Sequence, residues 1–435
     1  MPPTPIDYRP LVPDEFGAFA DNLDLAFHEP STPAVRSRWS RLLDLDRSVA
    51  AFDGDLLVGT SAAYAQRLSI PGGELACAGV TMVTVRPTHR RRGILTGMMA
   101  GLFERADRAG EPISALWAAE GGIYERFGYG VASRRQRFTL PGGGAPPRST
   151  FDPAWAPAAA PAPASGSAAA TTAPAAYTIE LLPLDGAAAL LEPLWERMRS
   201  RRPGIPSRTR DWWTARILAD LEEDRHGALP KLLAVARDGD GAAQGYAIYR
   251  ARGGGPHTDP VLETLELIAP DPEAEAALWG YLGSIDLVSR IDAFDRPLDD
   301  PLPYRYADFR QPWPVEPAWP DALWLRLLDL PAALEARAWQ TPLDLTLEVV
   351  DRRLPRNSGR WRLQASADGD ARCARGDGAP DLALDVSALG AAYLGGTTVT
   401  VLADAGRAVE LTPGALDRLD AALRVPRLPW TPDFF

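Results

Sequence analysis

The stretch Val83-Thr-Val-Arg-Pro-Thr-His-Arg-Arg-Arg-Gly-Ile-Leu-Thr96 decides how the chain is read. It runs from a strand-like segment ending at Val85, through a proline, into three arginines and a glycine that opens a helical pattern. Backbone N–H groups at a helix start lack intrahelical partners, the helix dipole favours an anion there, and glycine lets a ligand approach closely. Arg91, Arg92, Gly93, Ile94, Leu95 and Thr96 therefore offer the amides of a pyrophosphate cradle, and the guanidinium groups of Arg90, Arg91 and Arg92 add charge-assisted bonds. The alternatives are a basic helix start on an exposed face and a short nucleic-acid patch. Cations at a helix N-terminus oppose its dipole by roughly 0.3–1 kcal/mol each, so without an anion the run works against its own helix.

The chain of 435 residues, 46% hydrophobic, can bury two or three cores. Its 57 acidic against 46 basic residues, a net charge of −11, exclude a nucleic acid or an anionic membrane as partner. A small cationic substrate suits such a protein better. Cys77 and Cys373, and the four histidines His28, His89, His226 and His257, match no metal or redox spacing, so reduced thiols and no metal are expected. The N-terminal residues carry no basic region followed by an apolar core, and no apolar run reaches the roughly 20 residues of a membrane span. A cytoplasmic protein is expected.

Residues 141–176 hold 14 Ala, 8 Pro and 4 Gly, a composition that cannot bury enough apolar surface to offset ordering, and they read as a linker. The linker separates a first domain, 1–140, from a second, 177–310; the proline-dense run Pro297 to Pro320 leads into a third, 311–435. The first reads as mixed α and β: helices at Leu11 to Ala26 and Ala34 to Leu45, strands at Ser48 to Phe52, Leu56 to Leu68 and Glu74 to Val85, and a helix from Gly93 to Ala109. A strand at Ile113 to Ala118, a short helix at Gly121 to Phe127 and a closing strand at Ser133 to Leu140 complete it. The second domain, including a helix around Trp212, repeats this plan. Aligning Pro87 with Pro270 sets Arg90, Arg92 and Gly93 opposite Glu273, Glu275 and Ala276, so the second copy has reversed the charge of its loop and lost the ligand.

Arg90-x-x-Gly93-x-Leu95 resembles the acyl-coenzyme A signature of the GNAT acetyltransferase superfamily, with leucine in place of the last small residue. Together with Glu120-Gly-Gly-Ile-Tyr-Glu-Arg-Phe-Gly-Tyr-Gly130, Leu323-Trp-Leu-Arg326 and Pro331-Ala-Ala-Leu-Glu-Ala-Arg337, it is similar to the enhanced intracellular survival (Eis) family of multi-acetylating aminoglycoside acetyltransferases. The resemblance implies an α/β (α+β) chain: tandem GNAT folds, the second degenerate, followed by a sterol-carrier-protein-like α/β domain. It further implies acetyl-CoA as cosubstrate, a small-molecule amine as acceptor and a homohexameric assembly.

The same resemblance implies roles for particular residues. Val83, Thr84 and Val85 would pair with the pantetheine arm, and Ala119 and Glu120 complete the cofactor set. Tyr124 would protonate the departing thiolate, which a phenol with an ordinary pKa of about 10 can do at neutral pH; the other reading has it pack a short helix, as expected for Phe127 and Tyr129. The base would be the carboxylate of Phe435, against the ordinary view of a chain end as a frayed tail; three prolines and three aromatics in its last ten residues fit a docking segment. Phe27, Glu29 and Trp39 match acceptor-contacting positions, and Trp39 fits the core equally. Glu29, Trp117 and Phe434 stand where the family carries aspartate, histidine and an acidic residue. Acceptors other than aminoglycosides, such as a protein lysine, a polyamine or a biosynthetic amine, keep the same chemistry. A non-catalytic acyl-CoA or lipid-binding protein is the alternative of a different class.

Overall fold

The computed structural model describes residues 5–142, 177–253, 260–306, 308–310, 312–315, 320–366 and 369–435. The expected linker therefore lies almost wholly outside the described residues. The chain divides into two compact units: Met1–Arg135 with Arg202–Ile217 and Ala318–Phe435, and Gln136–Arg201 with Leu218–Pro317.

In the first unit, β1 (Asp7–Arg9) leads to helices α1 (Phe16–Phe27) and α2 (Pro33–Leu42), then to strands β2 (Ala50–Asp53), β3 (Leu56–Ile70) and β4 (Gly73–Val85). Helix α3 (Ile94–Arg108), strand β5 (Ile113–Trp117), the short helix α4 (Gly121–Tyr124) and strand β6 (Gly130–Val131) follow. Thr32 caps α2 by accepting from the amide of Val35, and Pro33 takes the first helical position, where a missing N–H costs nothing. Alternation along β3 gives the sheet two apolar faces. Leu57 and Ala62 meet Phe19 and Leu23 of α1, whereas Val58 and Ala63 join Met98, Met99, Leu102 and Phe103 of α3. The sheet is therefore buried between α1 and α3.

Sheet membership corrects the expected boundaries. Residues Gln136–Pro141, read as the closing strand of the first domain, pair antiparallel with Arg290–Arg296 in the second unit's sheet. The first sheet is completed by Leu323–Leu327, which pairs with β5 on one side and β6 on the other. All five residues of that strand are buried, so it belongs to a sheet interior, not to the start of a separate third domain. Residues around Trp212, read as part of the second domain, belong to the first unit: the rings of Trp212 and Tyr64 meet edge-on at 5.2 Å, and Arg41 bonds Asp211. Leu343–Val350 and four further strands form a five-stranded sheet in this same unit.

The second unit carries Leu232–Arg237, Ala243–Arg252, Val261–Ile268 and Arg290–Arg296 as successive neighbours in its sheet, with helix Pro272–Gly283 between the last two. Asp271 caps that helix, its carboxylate accepting from the amides of Glu273 and Ala274 at 2.8 and 3.0 Å. The amides that would face a phosphate in that copy are thus already bonded within the chain.

Candidate active site

Strand β4 runs beside β5 in parallel only from Cys77 to Val80, while on its other side it stays paired with β3 as far as Val85. Among the described residues no strand pairs with the β5-facing edge from Thr81 onward, which leaves its amides and carbonyls available to a ligand. A bulge helps part the strands: the register slips between Thr60 and Ala62, and Met82 adopts a positive φ of 54°. The Thr60 hydroxyl donates to the Met82 carbonyl at 2.9 Å, and Thr84 is held by Thr60 at 2.6 Å and by the Asn22 amide at 2.8 Å. This side-chain network fixes the parted end of β4.

The loop after β4 is shaped as the sequence requires. Arg91 and Gly93 both adopt left-handed backbone, with φ of 63° and 80°, and Gly93 opens α3 with no side chain capping it. Left-handed backbone costs a non-glycine residue roughly 1–2 kcal/mol, so Arg91 is strained at this turn. Asp53 braces the loop from outside: its carboxylate lies 3.3 Å from Nε2 of His89 and 3.9 Å from Arg92. Arg92 thus turns its side chain toward Asp53, and it is not among the residues lining the cavity.

A cavity of about 390 Å³ brings most of the expected cofactor residues together. Val83, Thr84, Val85, Arg90, Arg91, Gly93, Ile94, Leu95, Thr96, Ala119, Glu120 and Tyr124 line it, as does Phe27 from the expected acceptor set. Glu29 and Trp39 do not: Glu29 is exposed on the connection after α1, and Trp39 packs partly buried against the core under α1. Arg126 and Arg353 also line the cavity and were not foreseen. Arg126 lies inside a segment whose motif points to Glu120 and Tyr124, and Arg353 lies more than two hundred residues further on, where no local pattern links it to the site.

Tyr124 ends α4 and is 8% exposed. Burial, and secondarily the charge of Glu120, pushes its phenol up to about 12, so it keeps its proton at any ordinary pH. Phe127 and Tyr129 are wholly buried, and the Tyr129 hydroxyl pairs with Ser114 at 2.7 Å, in keeping with the packing role expected of both.

The last residues are docked. Arg202 donates to the Leu428 carbonyl at 2.7 Å, the Trp430 amide to Pro203 at 2.9 Å, and the Thr431 hydroxyl to Gly204 at 2.8 Å. Arg208 grips Asp433 with two bonds of 2.9 and 2.5 Å, both side chains being buried. Arg216 reaches the Phe434 carbonyl at 3.0 Å, the Phe434 ring meets Trp117 edge-on at 5.4 Å, and Phe435 is buried. Trp117 lies at the end of β5, two residues before the cavity residue Ala119.

Sequence comparison agrees with this architecture. Two models described as acetyltransferase (GNAT) domains match residues 7–132 and 204–327, and one described as a sterol carrier protein domain matches 330–432. An uncharacterised N-acetyltransferase of Streptomyces avermitilis is 38% identical over 99% of both chains, and the N-acetyltransferase Eis of Mycobacterium tuberculosis is 34% identical over 90% of both. Among solved structures, Eis1 from Mycobacterium abscessus matches at a TM-score of 0.80 with 31% identity, over 99% of this chain and 100% of that one. With an Eis protein matched along nine-tenths of both sequences, and a left-handed glycine loop set beside a parted strand pair, the chain belongs to the enhanced intracellular survival family of GNAT N-acetyltransferases.

Proposed function

We propose that the protein transfers the acetyl group of acetyl-CoA to primary amines of aminoglycoside-like polycationic molecules, at more than one amine per molecule, and that it does so as a homohexamer. Acyl transfer belongs to the family; the donor, the acceptor and the assembly belong to the proposal. The observation that carries the donor is the cavity, in which left-handed loop amides, Arg90 and Arg91 stand beside the free edge of β4. These residues fit an acyl-coenzyme A. The loop would hold its pyrophosphate, and Thr81–Val85 the amides of its pantetheine arm. When bound, it supplies an acetyl thioester with a thiolate leaving group.

The chain's own residues then manage protons. Tyr124 holds one at its hydroxyl up to about pH 12 and can give it to a departing thiolate. A terminal carboxylate has an ordinary pKa of about 3.5 and is ionised at neutral pH, so that of Phe435 can accept a proton from the incoming ammonium, directly or through water. What supports it is the docked tail: Phe435 is buried and Phe434 sits against Trp117. Adding residues after Phe435 moves that carboxylate, and kcat is then expected to fall at least tenfold; an extended chain of undiminished rate removes the tail from the chemistry.

One observation favours a second acceptor class. Arg135 stacks over Trp117 at 4.9 Å, and Arg216 donates to Phe434, so two guanidinium groups flank this aromatic pair. Such surroundings suit an amine carrying few further positive charges. Coenzyme A release measured with aminoglycosides, polyamines, lysine peptides and mono-amines separates the two readings, since the first requires the aminoglycosides to lead the series.

A further inference from the structure

Four arginines line the cavity of a protein whose net charge is −11: Arg90, Arg91, Arg126 and Arg353. None of the four forms an ion pair with a carboxylate among the described residues. Arg90 and Arg91 belong to the phosphate loop. The other two come from elsewhere, Arg126 after α4 and Arg353 from the turn after strand Leu343–Val350.

Arg126 and Arg353 are linked through one aromatic ring and one backbone bond. Both guanidinium groups stack on the ring of Phe127, each 5.1 Å from its centroid, and Nε of Arg353 donates to the backbone carbonyl of Arg126 at 3.2 Å. Two like charges at one ring, neither ion-paired among the described residues, repel, and an anion bound by both relieves that repulsion. Their positions are also braced from beneath. The buried Asp351 carboxylate accepts from the amides of Arg353 and Leu354 at 3.0 and 2.9 Å, and bonds the fully buried Arg326 twice, at 2.9 and 2.8 Å. Arg326 in turn donates to the carbonyl of Phe127. One buried ion pair thus ties the turn bearing Arg353 to the segment bearing Arg126.

We propose that Arg126 and Arg353 form a second phosphate clamp, which binds the 3′-phosphate on the ribose of coenzyme A. The assignment rests on the acyl-coenzyme A reading of the cavity. The pyrophosphate already has the loop amides with Arg90 and Arg91, and coenzyme A carries one further phosphate. Arg353 would then make the sterol-carrier-like part of the chain a contributor to cofactor selection.

The test is calorimetric binding of coenzyme A and of 3′-dephospho-coenzyme A to the full chain, as wild type, Arg353→Ala and the neighbouring control Arg352→Ala. Wild type and the control are expected to prefer coenzyme A by about tenfold, the value of one charged hydrogen bond at a partly exposed site. Arg353→Ala should shrink the preference to about twofold, by weakening coenzyme A binding and leaving the dephospho form unchanged. Equal weakening of both ligands, a preference retained by Arg353→Ala, or no preference in the wild type overturns the clamp while leaving the acyl-coenzyme A reading standing. Failure of the wild type to bind either ligand sinks both. Arg353 is exposed, and an unaltered melting temperature for its variant confirms that folding is not what changed.

Discussion

Tyr124 is the residue proposed to protonate the leaving thiolate, and its surroundings keep its own proton in place. Burial raises the phenol to about 12, and Glu120 adds to the effect, so the neutral acid persists across the pH range in which an amine can be acetylated. Tyr124→Phe should lower kcat by roughly 10²- to 10⁴-fold with little change in KM for acetyl-CoA, measured by thiol release at saturating donor. A loss in KM alone would make the tyrosine a packing residue. The direction of the shift also sets a pH profile. An acid with an ordinary phenol pKa would lose activity as pH rises through about 10, whereas here the rate should hold beyond that point and fall only near 12. This basic limb, read from kcat at rising pH, separates a raised phenol from an ordinary one. The tyrosine was legible in the sequence through its motif, but the cause of its shift was not, since burial comes from α4 being packed by residues distant in the chain.

Two helix starts differ between the two copies of the fold in whether their first amides are already bonded. Helix α3 begins at Gly93 with left-handed backbone and no side-chain cap, whereas helix Pro272–Gly283 begins with Asp271 bonded to its own amides. Gly93→Ala places a Cβ at φ 80° and is expected to cost roughly 1–2 kcal/mol locally. Its measurable outcome is a rise of several-fold or more in the dissociation constant for coenzyme A, and unchanged affinity would mean that the loop amides are not the phosphate ligands. The helices and hairpins around these starts were legible because their signals are local: turn glycines, alternating apolar residues, prolines at first helical positions. The partners of two strands were not. Gln136–Pro141 and Leu323–Leu327 carry the same local pattern whichever sheet receives them, and only the tertiary strand pairing assigns each to its place.

At the scale of the molecule, parts far apart in sequence meet in the first unit. Arg208 and Asp433, 225 residues apart, form a buried pair that fastens the tail beside Trp117, and Arg326 and Asp351 fasten the turn that presents Arg353 to the cavity. Breaking one partner of a buried pair typically costs about 3–5 kcal/mol, because the other charge is left uncompensated. Asp433→Asn is therefore expected to loosen the tail and cut kcat, leaving KM for acetyl-CoA close to wild type, with the melting temperature recording any wider loss of stability. Equal kcat in the variant would show that the docked tail takes no part in turnover. The measurement that bears most directly on the whole account is mass spectrometry of the acceptor alongside coenzyme A release, across the panel of amines. The account predicts acetylated amine formed in step with released coenzyme A for at least one primary amine, above the amine-free rate. Coenzyme A release that never exceeds that background, for any amine in the panel, would contradict it.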